Sequence, residues 1–476
     1  MLGNRVRCRI ALCMSVMATC LWACKPKLVG TYDDDQRYME DAGEPDSLDD
    51  LAAPAVAPKI PGCVGDCVVN TKCPADKGPT TLTGVVTIPS GLLPVYNARV
   101  YIPTGNAVPE PPLSGASCDR CDQVPTLFST TTDVSGRFTL RNIPSGLNIP
   151  LIIRVGKWWR VVTLPMVSEC SVNLVGRAET RLPRSRTEGN IPRIALSTGS
   201  ADALECILRS QKLGLDDSEF TPETDSGRVT LYAGATGATQ YVPTLNAGVR
   251  FTAVQPLPAA SWWDRYENWS KYDIVMLSCE GNQYMNFKSA ASLQNLEKYI
   301  SSGGRVFASH WHNGWLSNAQ PPQKIQTMAT FGVNLNLGTI NATLNTSFDK
   351  GAALADWLML PAVSGSFPPP RGQLPVMGAK NTVSSLNPSL VQRWVDAPSG
   401  ASQYFSFEAP IGAGAAALCG QMVFTDLHVS SGTGGDSSTS ATPFPNGCTS
   451  GTLSAQEKAL IFMLFDLTNC LQPPIG

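Results

Sequence analysis

The chain is poor in histidine, with three in 476 residues. It also carries little excess charge of either sign, with a formal net charge of −2. That balance excludes a global basic field for holding nucleic acid. Beyond the first 24 residues no stretch is apolar enough to cross a bilayer. The Gly-rich run Gly432-Thr-Gly-Gly-Asp436 lacks the lysine of a phosphate-binding loop and reads as a mobile loop. What is present is an ordinary hydrophobic share of 43%, enough for real cores in a chain long enough for two or three domains.

The N-terminus has a clear pattern. Arg5, Arg7 and Arg9 precede an apolar run from Ile10 to Cys24. A charged region, a short apolar region and a small residue at the cut point make a secretory signal. Its end, Leu21-Trp22-Ala23-Cys24, resembles a bacterial lipobox. The resemblance implies that Cys24 becomes the lipidated first residue and anchors the protein to a membrane of the cell envelope. Lys25 follows the cysteine where an aspartate would retain the protein at the inner membrane. By resemblance to common sorting signals, this points to the outer membrane or surface.

Export changes how the cysteines read. Of fifteen, Cys8, Cys13 and Cys20 leave with the signal and Cys24 takes the lipid, so eleven remain. In an oxidising compartment these are expected as disulfides. An odd number leaves at least one thiol free. Neither Cys63-x3-Cys67-x5-Cys73 nor Cys118-x2-Cys121 has the paired spacing of a structural zinc knuckle.

Composition divides the remainder. Residues 25–80 are a tether: Thr31 to Asp50 holds nine acidic residues and one arginine, followed by Ala/Pro-rich Leu51 to Pro58. The acidic residues lack the ligand order of a calcium loop, so the segment reads as a solvated spacer. Residues 81–185 show short alternating strands cut by Gly, Pro and Asp turns, which predicts an all-β sandwich. Trp158-Trp159 sits at a strand end there, with core packing or sugar stacking as its two uses. Gly84-Val-Val, Asn97-Ala-Arg-Val, Thr132-Asp-Val-Ser-Gly-Arg-Phe and Ile143-Pro-Ser-Gly resemble the carboxypeptidase regulatory-like family. The resemblance implies a transthyretin-like module without peptidase activity.

Residues 186–476 alternate apolar strands with helices, which predicts an α/β domain with a mainly parallel sheet. Strands are expected at Ile191–Thr198, Tyr272–Ser278, Arg305–Ser309 and Gln421–Thr425, with helices at 201–213, 287–300 and 454–467. Segments near 216–260 and 320–407 read as insertions. Ligands in such sheets bind beyond the carboxyl ends of the strands. All three histidines lie there: His310 and His312 after one strand, His428 after another, with Cys279 and Glu280 after a third.

This part resembles class I glutamine amidotransferase-like proteins, including the ThuA-like branch. The matching stretches are Tyr272 to Ser278, Gly303 to His310, and Val423 to His428. The resemblance implies that the strand ending at Ser309 leads into a sharp turn where working enzymes carry a cysteine nucleophile. Here that position holds His310, which argues against glutaminase chemistry. Cys279 lies on the preceding strand, a weaker nucleophile candidate. No cofactor is named by the sequence. Imidazoles with a carboxylate from Glu280 or Asp426 would suit zinc or a similar divalent ion; hydrogen-bonded loop histidines lining an empty cleft are the alternative. The expected function is that of a non-catalytic envelope lipoprotein binding a protein or carbohydrate partner. The rival is an envelope hydrolase using the strand-end histidines, with or without metal.

Overall fold

The computed structural model describes residues 58–471 apart from 70–71, 121–126, 210, 256–260, 318–323 and 430–434. The signal, Cys24, most of the tether and Cys121 therefore lie outside the described residues. No helix among them is long and apolar enough to cross a membrane.

The first part is all strand. β1 (Val64–Val68), β2 (Thr81–Val85), β3 (Arg99–Ile102), β4 (Phe128–Thr131), β5 (Arg137–Arg141), β6 (Ser145–Val155), β7 (Trp158–Val167) and β8 (Val172–Leu174) form two sheets. Five strands are built around β6, which pairs with β1, β3 and β7, while β4 pairs with β3. The other sheet runs β5-β2-β8. Period-2 alternation decides the faces. On β5, Phe138 and Leu140 are buried while Arg137, Thr139 and Arg141 face water. Asp133 makes the turn before β5 by accepting from the backbone of Ser135 and Arg137 at 2.8 and 2.9 Å. Trp158 and Trp159 are both buried: Trp158 packs on Phe465 and Trp159 meets Tyr101 edge-on. The pair serves packing, so the sugar-stacking alternative is set aside.

The second part is one ten-stranded mixed sheet. Its strands are β9 (Ile194–Ser197), β10 (Val229–Ala233), β11 (Thr252–Ala253), β12 (Ile274–Leu277), β13 (Arg305–Ser309), β14 (Ala329–Leu344), β15 (Gln373–Leu386), β16 (Gln392–Asp396), β17 (Ser402–Ala409) and β18 (Gly420–Thr425). The order is β11-β10-β9-β12-β13-β18-β17-β16-β14-β15. From β11 to β18 every pairing is parallel; from β18 onward every pairing is antiparallel.

Both segments set apart as insertions contribute strands to this sheet. The segment 216–260 supplies β10 and β11, and 320–407 supplies the antiparallel extension. β14 alternates apolar and polar residues from Phe331 to Leu337, but it is an exposed, bulged arm with Val333 and Leu335 facing water, so its alternation marks no buried face. The helix expected over 201–213 is shorter, Leu204–Leu208. The helices Ala290–Ser301 and Ala455–Thr468 form as expected; the latter starts with a capping box between Ser454 and Glu457.

The parallel strands are buried on both faces. On β12, Ile274 and Met276 enter one core, while Val275 and Leu277 enter the other. The first core is continuous with the sandwich, because helix Ala455–Thr468 lies between them. It is apolar nearly all round, as a helix enclosed by protein must be. Phe465 touches Trp158 of β7, and Phe462 touches Tyr96 and Trp357. The β6–β7 turn packs on this helix so closely that a Cβ on Gly156 would lie 1.7 Å from the Thr468 carbonyl oxygen. Lys157, in the same turn, forms a buried ion pair with Asp273 at 2.6 Å, and Asp273 also accepts from the backbone of Gly115 and Arg193.

Disulfides join Cys63 to Cys67, Cys73 to Cys170, Cys118 to Cys419 and Cys206 to Cys448. Cys470 is also disulfide-bonded, and Cys279 is free and buried. Beside Cys206, Glu205 is buried and accepts from the Ser438 hydroxyl. Burial pushes its carboxyl up from 4.5 to about 7. Between those values the folded state holds a proton that the unfolded chain has released. Stability is therefore expected to fall as pH rises from about 4.5 to about 7. Glu205→Gln should flatten that decline in urea midpoints measured between about pH 5 and 8. An unchanged slope would assign it to other groups.

Candidate functional site

Adjacent parallel strands end on one edge of the sheet, and register places their exits side by side. Leu277 of β12 is level with Ala308 of β13, and Ser309 of β13 is level with Thr425 of β18. Cys279 thus leaves β12 opposite His310, and His428 leaves β18 next to it. Cys279 Sγ lies 3.6 Å from His310 Nδ1, and that nitrogen lies 3.1 Å from His428 Nε2. One ligand atom from each of the three residues lies within 4.8 Å of the other two. Cys279 and His310 are fully buried; His428 is half-buried.

A strained backbone aims His310. β13 ends at Ser309, and the chain turns at once into the short helical turn His310–Asn313. His310 bridges the two with φ +38°, a left-handed conformation costly for a non-glycine residue. The sharp strand-to-helix turn implied by the sequence resemblance is present, with a histidine on it. Because strand geometry stops there, His310 and His312 do not share a face. His312 donates from Nε2 to the Ser278 carbonyl at 2.8 Å and accepts at Nδ1 from Trp315 at 3.1 Å. Both its nitrogens are used in holding the loop.

The two carboxylates named with the histidines are also engaged elsewhere. Glu280 accepts from the Ala235 backbone at 2.8 Å and from Gln255 at 3.2 Å, tying the β12 exit to the β10 exit. Asp426 accepts from Thr382 and Val383 of β15, fixing the β18 exit to the antiparallel extension. Burial raises both carboxyls, Asp426 to about 6. Of the six residues picked from the sequence, the fold brings together His310, His428 and Cys279. His312, Glu280 and Asp426 form the surrounding scaffold.

Two further residues complete the site. Asp202, fully buried in the loop after β9, accepts from Ser309 Oγ at 2.7 Å and from the Val429 backbone at 3.1 Å. One carboxylate therefore clamps the residue before His310 to the residue after His428. Its charge favours the protonated form of His428, against burial. Asn334, on the β14 arm, takes a hydrogen bond at Oδ1 from His310 Nε2 at 3.3 Å. With its proton on Nε2, His310 presents an unprotonated Nδ1 to Cys279 and His428. In the sequence Asp202 reads only as an acidic residue near a helix start, with a dipole role and no function of its own. Nothing in the sequence marks Asn334.

Electrostatics leaves the trio uncharged. Burial holds the Cys279 thiol up at about 12. Burial, aided by His428, holds His310 down at about 3, and burial with the nearby Lys288 charge does the same to His312. A neutral thiol and neutral imidazoles make a weak nucleophile and weak acids. They also make a set of lone-pair donors of the soft and borderline kind that late first-row metals prefer.

No protein-family model matches the chain, and no curated protein matches it. Among solved structures there is a weak likeness to a ThuA-like protein from Bacteroides uniformis. It has 10% identity and a TM-score of 0.24, over 57% of this chain and 90% of that one.

Proposed function

We propose that the protein is an exported hydrolase of the cell envelope, held to the membrane through lipid on Cys24, with its working site at the carboxyl edge of the parallel strands. The sandwich would be a carboxypeptidase regulatory-like module and the larger sheet an amidotransferase-like one; the sequence motifs support both. The disulfides expected of an exported chain are supported by the four bridges at Cys63, Cys73, Cys118 and Cys206. The observation that carries the hydrolytic reading is the approach of His310 Nδ1 to His428 Nε2 at 3.1 Å, from neighbouring strand exits 118 residues apart in sequence. His428, half-buried and backed by the Asp202 charge, is the group placed to take a proton from water. His310 fixes its ring.

A second reading is non-catalytic binding of a protein or glycan partner, and the uncharged state of the trio favours it. Chromogenic ester, amide and glycoside substrates separate the two. Turnover that falls by about 10²–10⁴-fold in His428→Gln is the expected result for a general base. Turnover untouched by His428→Gln, or none with any substrate class, removes the hydrolytic reading. A glycan array probed with the full chain then tests the binding one.

A further inference from the structure

We propose that Cys279 Sγ, His310 Nδ1 and His428 Nε2 are the three protein ligands of a zinc ion, with the fourth position left to water. The inference uses the same residues as the hydrolytic reading but not its chemistry, so each can stand without the other.

Three independent features carry it. The first is spacing. A tetrahedral ion with bonds of about 2.0–2.3 Å sets its ligand atoms roughly 3.3–3.7 Å apart. The Cys279–His310 and His310–His428 separations, 3.6 and 3.1 Å, already lie close to that. The remaining edge is no longer than 4.8 Å. Small side-chain rotations bring all three onto one ion.

The second is the isolation of the thiol. Among the described residues every other cysteine is disulfide-bonded, and Cys279 alone is free. It lies against two of the protein's three histidines.

The third is the outer layer. A ligating histidine donates its other ring N–H to an oxygen acceptor, which fixes the tautomer. Asn334 Oδ1 is that acceptor for His310. Asp202 holds Ser309 and Val429, the residues flanking the two histidine ligands. Magnesium and calcium need oxygen shells that this donor set lacks, whereas thiolate with two imidazoles suits zinc.

Binding is balanced in atoms and charge. The S–H bond of Cys279 breaks, a zinc–sulfur bond forms, and one proton leaves to solvent. His428 remains neutral, its ring proton passing from Nε2 to Nδ1 through solvent, and the two ring nitrogens donate lone pairs to the ion.

The test uses the full, oxidised chain stripped of metal by a chelator, with cobalt(II) as probe and zinc as competitor. One equivalent of cobalt is expected, with a near-ultraviolet sulfur-to-cobalt charge-transfer band and visible bands of tetrahedral intensity, all displaced by zinc. Cys279→Ser should abolish the charge-transfer band. His428→Gln, at a half-buried position, should lose tetrahedral intensity. Asp202→Asn should weaken zinc binding by about 10–100-fold. Glu280→Gln, whose carboxylate is engaged with Ala235 and Gln255, should keep one equivalent. No stoichiometric cobalt, or a charge-transfer band surviving in Cys279→Ser, overturns the proposal. If Cys279→Ser does not fold, the band in the unmodified chain and its response to His428→Gln decide. One equivalent bound with no hydrolysis sinks only the hydrolytic reading; hydrolysis by a chain that binds no stoichiometric cobalt or zinc sinks only this one.

Discussion

Lys212→Met is expected to destabilise the protein by about 3–5 kcal/mol, among the largest effects of any single substitution. Lys212 Nζ lies between Asp436 and Glu457, and the three side chains are 2%, 0% and 0% exposed. The carboxylates are fixed independently of the lysine. Asp436 accepts from the Thr449 backbone at 2.7 Å, and Glu457 from the Ser454 backbone at 2.8 Å, closing the cap of the central helix. They cannot swing to water when the ammonium is removed. Two unpaired negative charges would then remain in a low-dielectric interior. Neutralising them in the same background, with Asp436→Asn and Glu457→Gln, should recover more than half of the loss. Urea denaturation of the three proteins checks this. A loss below about 1 kcal/mol for Lys212→Met alone would mean that the triad behaves as a solvated surface pair.

The second large effect concerns disulfides, and here the ordering is the result to look for. Cys118–Cys419 closes 301 residues of sequence, whereas Cys63–Cys67 closes 4. If a bridge acts by restricting the unfolded chain, removing the long one should cost about 6 kcal/mol and the short one about 2 kcal/mol. The long bridge also ties the Pro-rich loop after β3 to Cys419, just before β18, the strand that delivers His428. Paired cysteine-to-serine variants, compared by urea midpoint and slope, measure both losses. Equal losses would mean that local packing, not loop closure, accounts for the effect.

Several elements could be read directly from their residues. β13 and helix Ala455–Thr468 are legible almost residue for residue, because an apolar run bounded by small polar residues is a local signal. The short apolar run of β10 was hidden by the Gly- and Pro-rich sequence around it, and β14 by its exposure. The strand-exit rule identified the correct edge of the sheet but could not sort its residues. His312 and His310 are two apart in sequence, yet a left-handed φ at His310 sends their rings to different partners. From the sequence, Glu280 and Asp426 are the carboxylates to set beside the histidines and Cys279 only a weak nucleophile; the hydrogen bonds of the two carboxylates take them out of that set.

By itself the sequence determined the scarcity of histidine, the odd cysteine, the change from short strands to alternating strands and helices, and the exits where chemistry could sit. Each follows from composition or from a period of a few residues. Tertiary structure alone decided which cysteine stays reduced, which two histidines meet, and that Asp202 clamps them. Those outcomes depend on register between segments 31 to 227 residues apart in sequence, and no local pattern encodes that register.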